Sequence, residues 1–249
     1  MAVTAGATIG VRVEAIHVRG ATQPPTELAL ALGLPLELAV GEPVAAIVHA
    51  FAGLDVALGV IGARRDAKDY RFAGSVAAAI IARTPVPVIV VGPSASDPAP
   101  SRFSRVLVPL DGTPAAARAM EDVVALFAAC NVDVVVHHVF DRETVPAFWD
   151  QAQHAHESWS REFLARWSSR PGAAITLRRG NAADAILAAA AADHADLIAL
   201  AWAQDSSPGH ADVVKNALLH LPVPVLLIPL NPRQLPPESN TTRHPTRQR

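Results

Sequence analysis

Val11-Arg-Val-Glu-Ala-Ile-His17-Val18 and Val132-Asp-Val-Val-Val-His-His138-Val139 are one strand written twice, and this pairing decides the fold. Outward from it, the matches continue in order. Gly41-Glu-Pro-Val-Ala-Ala-Ile47 lies over Gly180-Asn-Ala-Ala-Asp-Ala-Ile186, and Pro85-Val-Pro-Val-Ile-Val-Val91 over Pro222-Val-Pro-Val-Leu-Leu-Ile228. Two copies of one supersecondary plan mean a duplicated domain. In this register Met1 falls opposite Asp122, so the first copy has no counterpart of Ser104–Glu121.

The second copy reads most clearly. Arg105-Val-Leu-Val-Pro-Leu110 is a short apolar strand. The turn Asp111-Gly-Thr-Pro114 leads into a helix, with Thr113 as N-cap and Pro114 pre-set for the first helical position. The helix runs to about Ala129. The β-branched run Val132–Val139 is the pattern of a strand covered on both faces. Asp150–Trp167 has helical spacing, Ala174–Arg178 is a strand, and Asn181 caps the next helix. Strands at Leu197–Trp202 and Val223–Ile228 flank a helix over about His210–His220. The first copy reads as strand 11–18, helix 25–33, strand 36–40, helix 43–52, strand 56–61, helix 75–83 and strand 86–91. Such alternation predicts an α/β fold with parallel sheets and helices on both faces. The expected organisation is a domain at 1–93, a Pro/Ser-rich linker at 94–103, a second domain at 104–230 and a disordered tail at 231–249.

The bulk numbers fit a globular protein and exclude several classes. Of 249 residues 51% are hydrophobic and 18% charged, and the net charge is -2. No basic excess points to nucleic acid, and no polybasic stretch points to a membrane surface. No apolar run reaches the roughly 18 residues of a membrane span. Without a secretory signal, and with Cys130 as the single cysteine, the expected location is the cytoplasm. Cys130 reads as a small packed residue where a helix runs into a strand.

In this fold ligands bind at the carboxyl ends of the strands, where the order reverses. The second copy offers Asp111-Gly112-Thr113 there: a carboxylate able to accept from a ribose or a base, followed by the free N–H groups of a helix start. The first copy offers the loop from Gly62 to Gly74-Ser75, with Arg64, Arg65, Lys68 and Arg71 in it. Gly74 allows close backbone approach, and Ser75 can donate to a phosphate or cap the helix. A capped turn and a solvated surface loop are the plainer alternatives. His154 and His156 sit two apart on a helical pattern and point in different directions, so no metal set is expected. Trp149, Trp159, Trp167 and Trp202 read as packing between the insert helix of the second copy and its sheet.

Together, the Asp111-Gly-Thr113 turn after a Val-Leu-Val-Pro strand, the His138-Val139 strand end, the Gly74-Ser75 helix start and the Pro-Val-Pro-Val final strands resemble the universal stress proteins. The segments 146–154 and 159–166 are similar to tandem actinobacterial members. The resemblance implies Rossmann-like domains of strand order 3-2-1-4-5, the first domain here lacking its first strand and helix. It also implies ATP as ligand, held by the first-strand Asp and a loop G-x2-G-x9-G-[ST]. Carried over, the site residues are Gly62, Arg65, Gly74 and Ser75 in the first copy, and Asp111, Gly112, Thr113 and Val139 in the second.

The departures from that pattern weaken the expectation. In the second copy Ala201, Gln204 and Ala211 stand where the loop has glycines, and Asp212 where it has Ser or Thr. Two like charges ~4 Å apart repel by about 4 kcal/mol at an effective dielectric of 20, roughly three orders of magnitude in affinity. The first copy keeps Gly62, Gly74 and Ser75. Register from Gly41 sets Gly62 opposite Ala201; a second register pairs Gly59 with Gly62 as the leading glycines. Neither copy then holds a complete ATP site, and the first is the better anion site.

The first strand is central in this order, so without it the strands at 11–18 and 56–61 lose a shared neighbour. They close up, or residues 1–9 fill the gap, or the natural protein begins upstream. The last is favoured, because Ala2–Thr8 resembles the end of the helix at Asp122–Asn131. By the resemblance, the two copies are expected to pack through Val86–Val91 and Val223–Ile228, as the dimer such domains commonly form. The expected function is stress-associated binding or regulation without turnover, through self-association or a protein partner. A scaffold with no small ligand is the alternative. A weak nucleotide hydrolase using Asp66 or Asp69 is another.

Overall fold

A computed structural model describes residues 1–18, 33–63, 75–95, 100–140, 157–163, 175–205 and 211–230. Its elements are α1 (Ala2–Ile9), β1 (Ala15–Val18), β2 (Leu36–Ala39), α2 (Pro43–Phe51), β3 (Gly59–Gly62), α3 (Ser75–Ile81), β4 (Val88–Val91), β5 (Arg105–Leu110), α4 (Pro114–Ala129), β6 (Asp133–Phe140), β7 (Ile175–Arg179), α5 (Ala182–Ala192), β8 (Leu197–Trp202), α6 (Asp212–His220) and β9 (Val225–Pro229). Residues 157–163 are also helical. The expected helix at 25–33 and the tail at 231–249 fall outside the described residues, Gly33 apart.

Local chemistry explains the helix starts. Thr113 caps α4 by accepting from the Ala116 N–H, with Pro114 next. Glu42 caps α2 by accepting from the Val44 and Ala45 amides, and Asn181 caps α5 by accepting from that of Asp184. Glu42 and Asn181 occupy the same repeat position, and each follows a glycine with nearly the same backbone. Gly41 has φ 128 and Gly180 φ 126, values only glycine adopts readily. The two backbone amides at Glu42 hold its carboxyl below the usual carboxylate pKa.

Seven strands form one sheet in the order β3-β4-β9-β8-β5-β6-β7, and β1 and β2 form a separate two-stranded sheet. Within the second copy the order is third, second, first, fourth, fifth, all parallel. β3 and β4 are parallel to each other, but β4 meets β9 antiparallel, pairing Val88 with Leu227, Ile89 with Leu226 and Val90 with Val225. This pairing is two-fold symmetric in the repeat register about Ile89 and Leu226. The copies thus join through their last strands, as the resemblance implied.

Side chains alternate between two cores. On one face Leu107, Ile198, Leu200, Trp202, Val225 and Leu227 pack with Val88 and Val90 under α2, α3, α5 and α6. On the other Val106, Val108, Leu197, Ala199, Leu226 and Ile89 pack under α4 with α1 and Phe163. Both cores run without a break across the junction. α1 is tied to the segment that leads into β5: Thr4 donates to Pro100 O at 2.6 Å, and the Phe103 amide donates to Thr8 Oγ1 at 2.9 Å.

Two of the three alternatives for the gap, neither of them the favoured one, do not hold among the described residues. Residues 2–9 do not supply the absent strand, because they are helical and end on Gly10 at φ 72, the counterpart of Asn131 at φ 59. Nor do the strands on either side of the gap pair: among the described residues β1 pairs with β2 only, and β3 with β4 only. The strand expected at 11–18 is regular only from Ala15.

Candidate functional site

Strand register fixes the loops that could hold a ligand. Gly59 pairs with Val88 and Gly62 with Val91, while Ile198 pairs with Val225 and Ala201 with Ile228. The repeat sets each first-copy pair over a second-copy pair, which selects the register with Gly62 opposite Ala201.

In the second copy β5 pairs with β8 only at Val106↔Leu197 and Leu107↔Ile198. Beyond that the ladder stops; in folds of this kind the carboxyl ends of such strands are where ligands bind. The Asp111 turn follows β5 at that end. Asp111 Oδ1 accepts from both the amide and the hydroxyl of Thr113, each at 2.8 Å. Gly112 has φ 82, and a Cβ there would lie 3.4 Å from His138 Cε1 and 3.5 Å from Phe163 Cε2. Val139 is one register step beyond Leu110↔His138, level with Asp111 on the neighbouring strand. Its side chain belongs to the core on the α5 face.

Beside the turn lies an aromatic cluster. His138 stacks on Trp159 with ring centroids 5.6 Å apart and sits 4.9 Å from Phe163; Phe140 meets the His138 ring edge-on at 4.4 Å. His138 Nδ1 is 2.7 Å from Leu110 O. A carbonyl only accepts, so Nδ1 carries the proton. Trp159 and Phe163 come from the insert helix, as the sequence suggested for that tryptophan. Trp149 and Trp167 lie outside the described residues.

Trp202 corrects the expectation. It packs on the opposite face, against the first copy, and its indole N–H donates to Ile81 O at 3.2 Å. Next to it Gln204 donates to Thr84 O at 2.8 Å. Gln204 has φ 60, so the backbone turns left-handed where the family loop has glycine, without having glycine. The strand-to-helix loop of the second copy thus grips the first copy. Asp212 is the first residue of α6, the repeat counterpart of Ser75 at the start of α3.

The first-copy half lies elsewhere. Because β4 and β9 run in opposite directions, the carboxyl end of β3 and that of β5 are at opposite rims of the sheet. Four strand spacings of ~4.8 Å separate them laterally as well, about 19 Å. The structure therefore brings Asp111, Gly112, Thr113 and Val139 together and sets Gly62 and Ser75 apart from them. Gly62 ends β3, and among the described residues nothing beyond its chain neighbours lies within 4 Å of where a Cβ would be. Arg65 and Gly74 lie outside the described residues, as do Asp66, Asp69, His154 and His156.

One buried polar group was not singled out from the sequence. His137, 1% exposed, has Nε2 at 2.7 Å from Asp193 Oδ2, though without hydrogen-bond alignment, and its Nδ1 accepts from Arg178 Nε at 3.3 Å. Burial holds its pKa below the ordinary imidazole value; Asp193 pulls the other way and Arg178 adds to the fall. Strand parity was the available signal, since neighbouring His137 and His138 must face opposite sides of β6.

Among the described residues no group of three or more His, Cys, Asp or Glu could hold a metal, and no helix is long and apolar enough to cross a membrane. The Universal stress protein family matches residues 7–92 and 102–229. No curated protein matches the chain. A universal stress protein from Archaeoglobus fulgidus is similar in structure at TM-score 0.59 and 21% identity, over 82% of this chain and 74% of that one. A functionally unknown protein from Pseudomonas aeruginosa is similar at TM-score 0.62 and 12% identity, over 89% and 83%. At these identities the likeness is one of fold, and it spans both copies. The two family matches cover most of the sequence, and the chain therefore belongs to the Universal stress protein family, with the family's domain present in tandem.

Proposed function

We propose that this protein is a stress-associated binding or regulatory member of its family that turns over no substrate and holds ATP weakly or not at all. The strand directions carry the reading. The acidic turn at Asp111 and the glycine–serine elements at Gly62 and Ser75 end up at opposite rims, so they cannot grip one nucleotide. In the second copy the loop that would close on phosphates has Gln204 tied to Thr84 O instead. At the separate Asp111 turn, Phe163 lies 3.5 Å from where a Cβ on Gly112 would be. Asp212 brings like charge to the helix start where an anion would sit.

What affinity remains for an anion belongs to the first copy, where the helix start carries Ser75 rather than a carboxylate. Titration calorimetry of ATP and AMP into the chain tests this. The expected result is no saturation, or saturation only at millimolar nucleotide, with no phosphate release above the buffer rate. Micromolar binding in which Asp111→Asn removes the heat would show a working site in the second copy and end the reading.

A further inference from the structure

In the second copy a buried imidazole lies between two opposite charges. His137 sits on the α5 face of β6 and is 1% exposed. From β7, Arg178 donates from Nε to the ring Nδ1 at 3.3 Å. A guanidinium only donates, so Nδ1 carries no proton and the neutral ring holds it on Nε2. On that side Asp193, the C-cap of α5, brings Oδ2 to 2.7 Å from Nε2 but off the line of the N–H bond. The ring thus makes its aligned bond to the cation and meets the anion askew. Among the described residues the other charges around it are engaged or exposed. Arg105 of β5 donates to Asp133 Oδ2 and to Asp193 O, each at 2.8 Å. Asp133 is on the same face of β6 by strand parity. Asp184 in the first turn of α5 and His194 after its end are exposed.

Protonation reverses this arrangement. A proton on Nδ1 sets N–H against N–H and cation against cation across 3.3 Å, so the bond to Arg178 is lost. The same proton gives the ring a charge opposite to that of Asp193, and the misaligned contact becomes an ion pair. We infer that His137 is a proton-driven switch between two partners: the neutral ring holds Arg178 and with it the outer strand β7, and the charged ring releases Arg178 and turns onto Asp193 at the end of α5. β7 is the terminal strand of its sheet and is bonded to β6 alone among the described residues. A side-chain tether counts for more there than inside the sheet, so acid loosens this edge and leaves β5 and β8 shut. Burial, the largest influence, opposes the charged ring; Asp193 favours it and Arg178 opposes it, which sets the exchange on the acid side of the ordinary imidazole range. The device uses no nucleotide and stands or falls apart from that question.

The test is imidazole nitrogen NMR of the whole chain, run beside amide exchange corrected for its intrinsic pH dependence. At about pH 8 the His137 proton is expected on Nε2 and that of His138 on Nδ1. As His137 titrates, exchange at residues 175–180 should speed about ten-fold while residues 197–202 stay protected. Arg178→Gln should raise the His137 pKa and leave residues 175–180 fast at both ends of the range. Asp193→Asn should lower that pKa and move the loosening to more acid solution. A His137 proton on Nδ1 at about pH 8, or pKa changes of the same sign in the two variants, overturns the proposal. So does exchange at residues 175–180 that fails to follow the His137 titration or holds until the whole chain unfolds. The nitrogen and exchange readouts on the parent chain need no substitution, so they decide even where a variant fails to fold.

Discussion

The second copy closes its sheet around a central strand, and among the described residues the first does not. β5 is bonded on both sides, and its residues Val106, Leu107 and Val108 are at most 1% exposed. In the first copy the same plan has divided: β3 and β4 have joined the neighbour's sheet, while β1 and β2 stand apart, with every residue of β1 half-exposed. The difference teaches that the last strand of this repeat, not the first, decides which sheet a half belongs to. Junction residues Val88, Ile89 and Leu227 are fully buried, so the sheet gains its continuity there.

The comparison breaks first under core truncation. Leu107→Ala should cost about 2–5 kcal/mol by leaving a cavity in the central strand, whereas Ile16→Ala on half-exposed β1 should cost about 1 kcal/mol or less. Urea unfolding of both variants measures this, and equal costs would show that the first copy is as tightly closed as the second. Next comes the clasp between the copies. Gln204→Ala removes the bond to Thr84 O but keeps a side chain in the left-handed region, for a loss of about 1–2 kcal/mol. Gln204→Gly loses the same bond and relieves the backbone, and should be close to neutral. If the alanine variant is as stable as the glycine one, the backbone argument fails.

A smaller effect is expected at the Asp111 turn. Thr113→Ala should lower stability by about 1 kcal/mol through loss of the α4 cap. The same substitution should leave amide exchange in α2 unchanged, since that cap belongs to the other copy. The finest distinction is pH. His137 has a folded pKa below its unfolded one, so the unfolded chain binds more protons between the two values, and stability rises with pH there. Its contribution is complete above about pH 6.5 and is lost as pH falls through the folded pKa. Denaturation series between pH 5 and 8 should slope less for His137→Gln than for the parent; parallel slopes would mean His137 is not the group that titrates.

Much of the fold was legible because periodicity and punctuation agreed. β5, α4, α5 and β8 were set by apolar runs and, at the helix starts, by Thr113, Pro114 and Asn181. The junction was expected only by analogy with the dimers that the resembling domains form, and the antiparallel pairing of β4 with β9 bears it out. What escaped was tertiary. Trp202 was grouped with the insert helix because its sequence neighbours belong to the second copy, yet strand alternation faces it toward α3 of the first. Candidate residues were readable by type. Their separation was not, because the reversal at β4 and β9 is a property of two strands far apart in sequence. Gln204 gave no sign either: a polar residue in a loop looks solvated until its acceptor in the other copy is known.

The antiparallel seam between β4 and β9 has a consequence for how the halves meet. In one polypeptide each half finds the other at a concentration fixed by the tether, independent of how dilute the solution is. Cutting the chain within residues 94–103 should turn this into an ordinary bimolecular encounter, and the seam would then come apart on dilution.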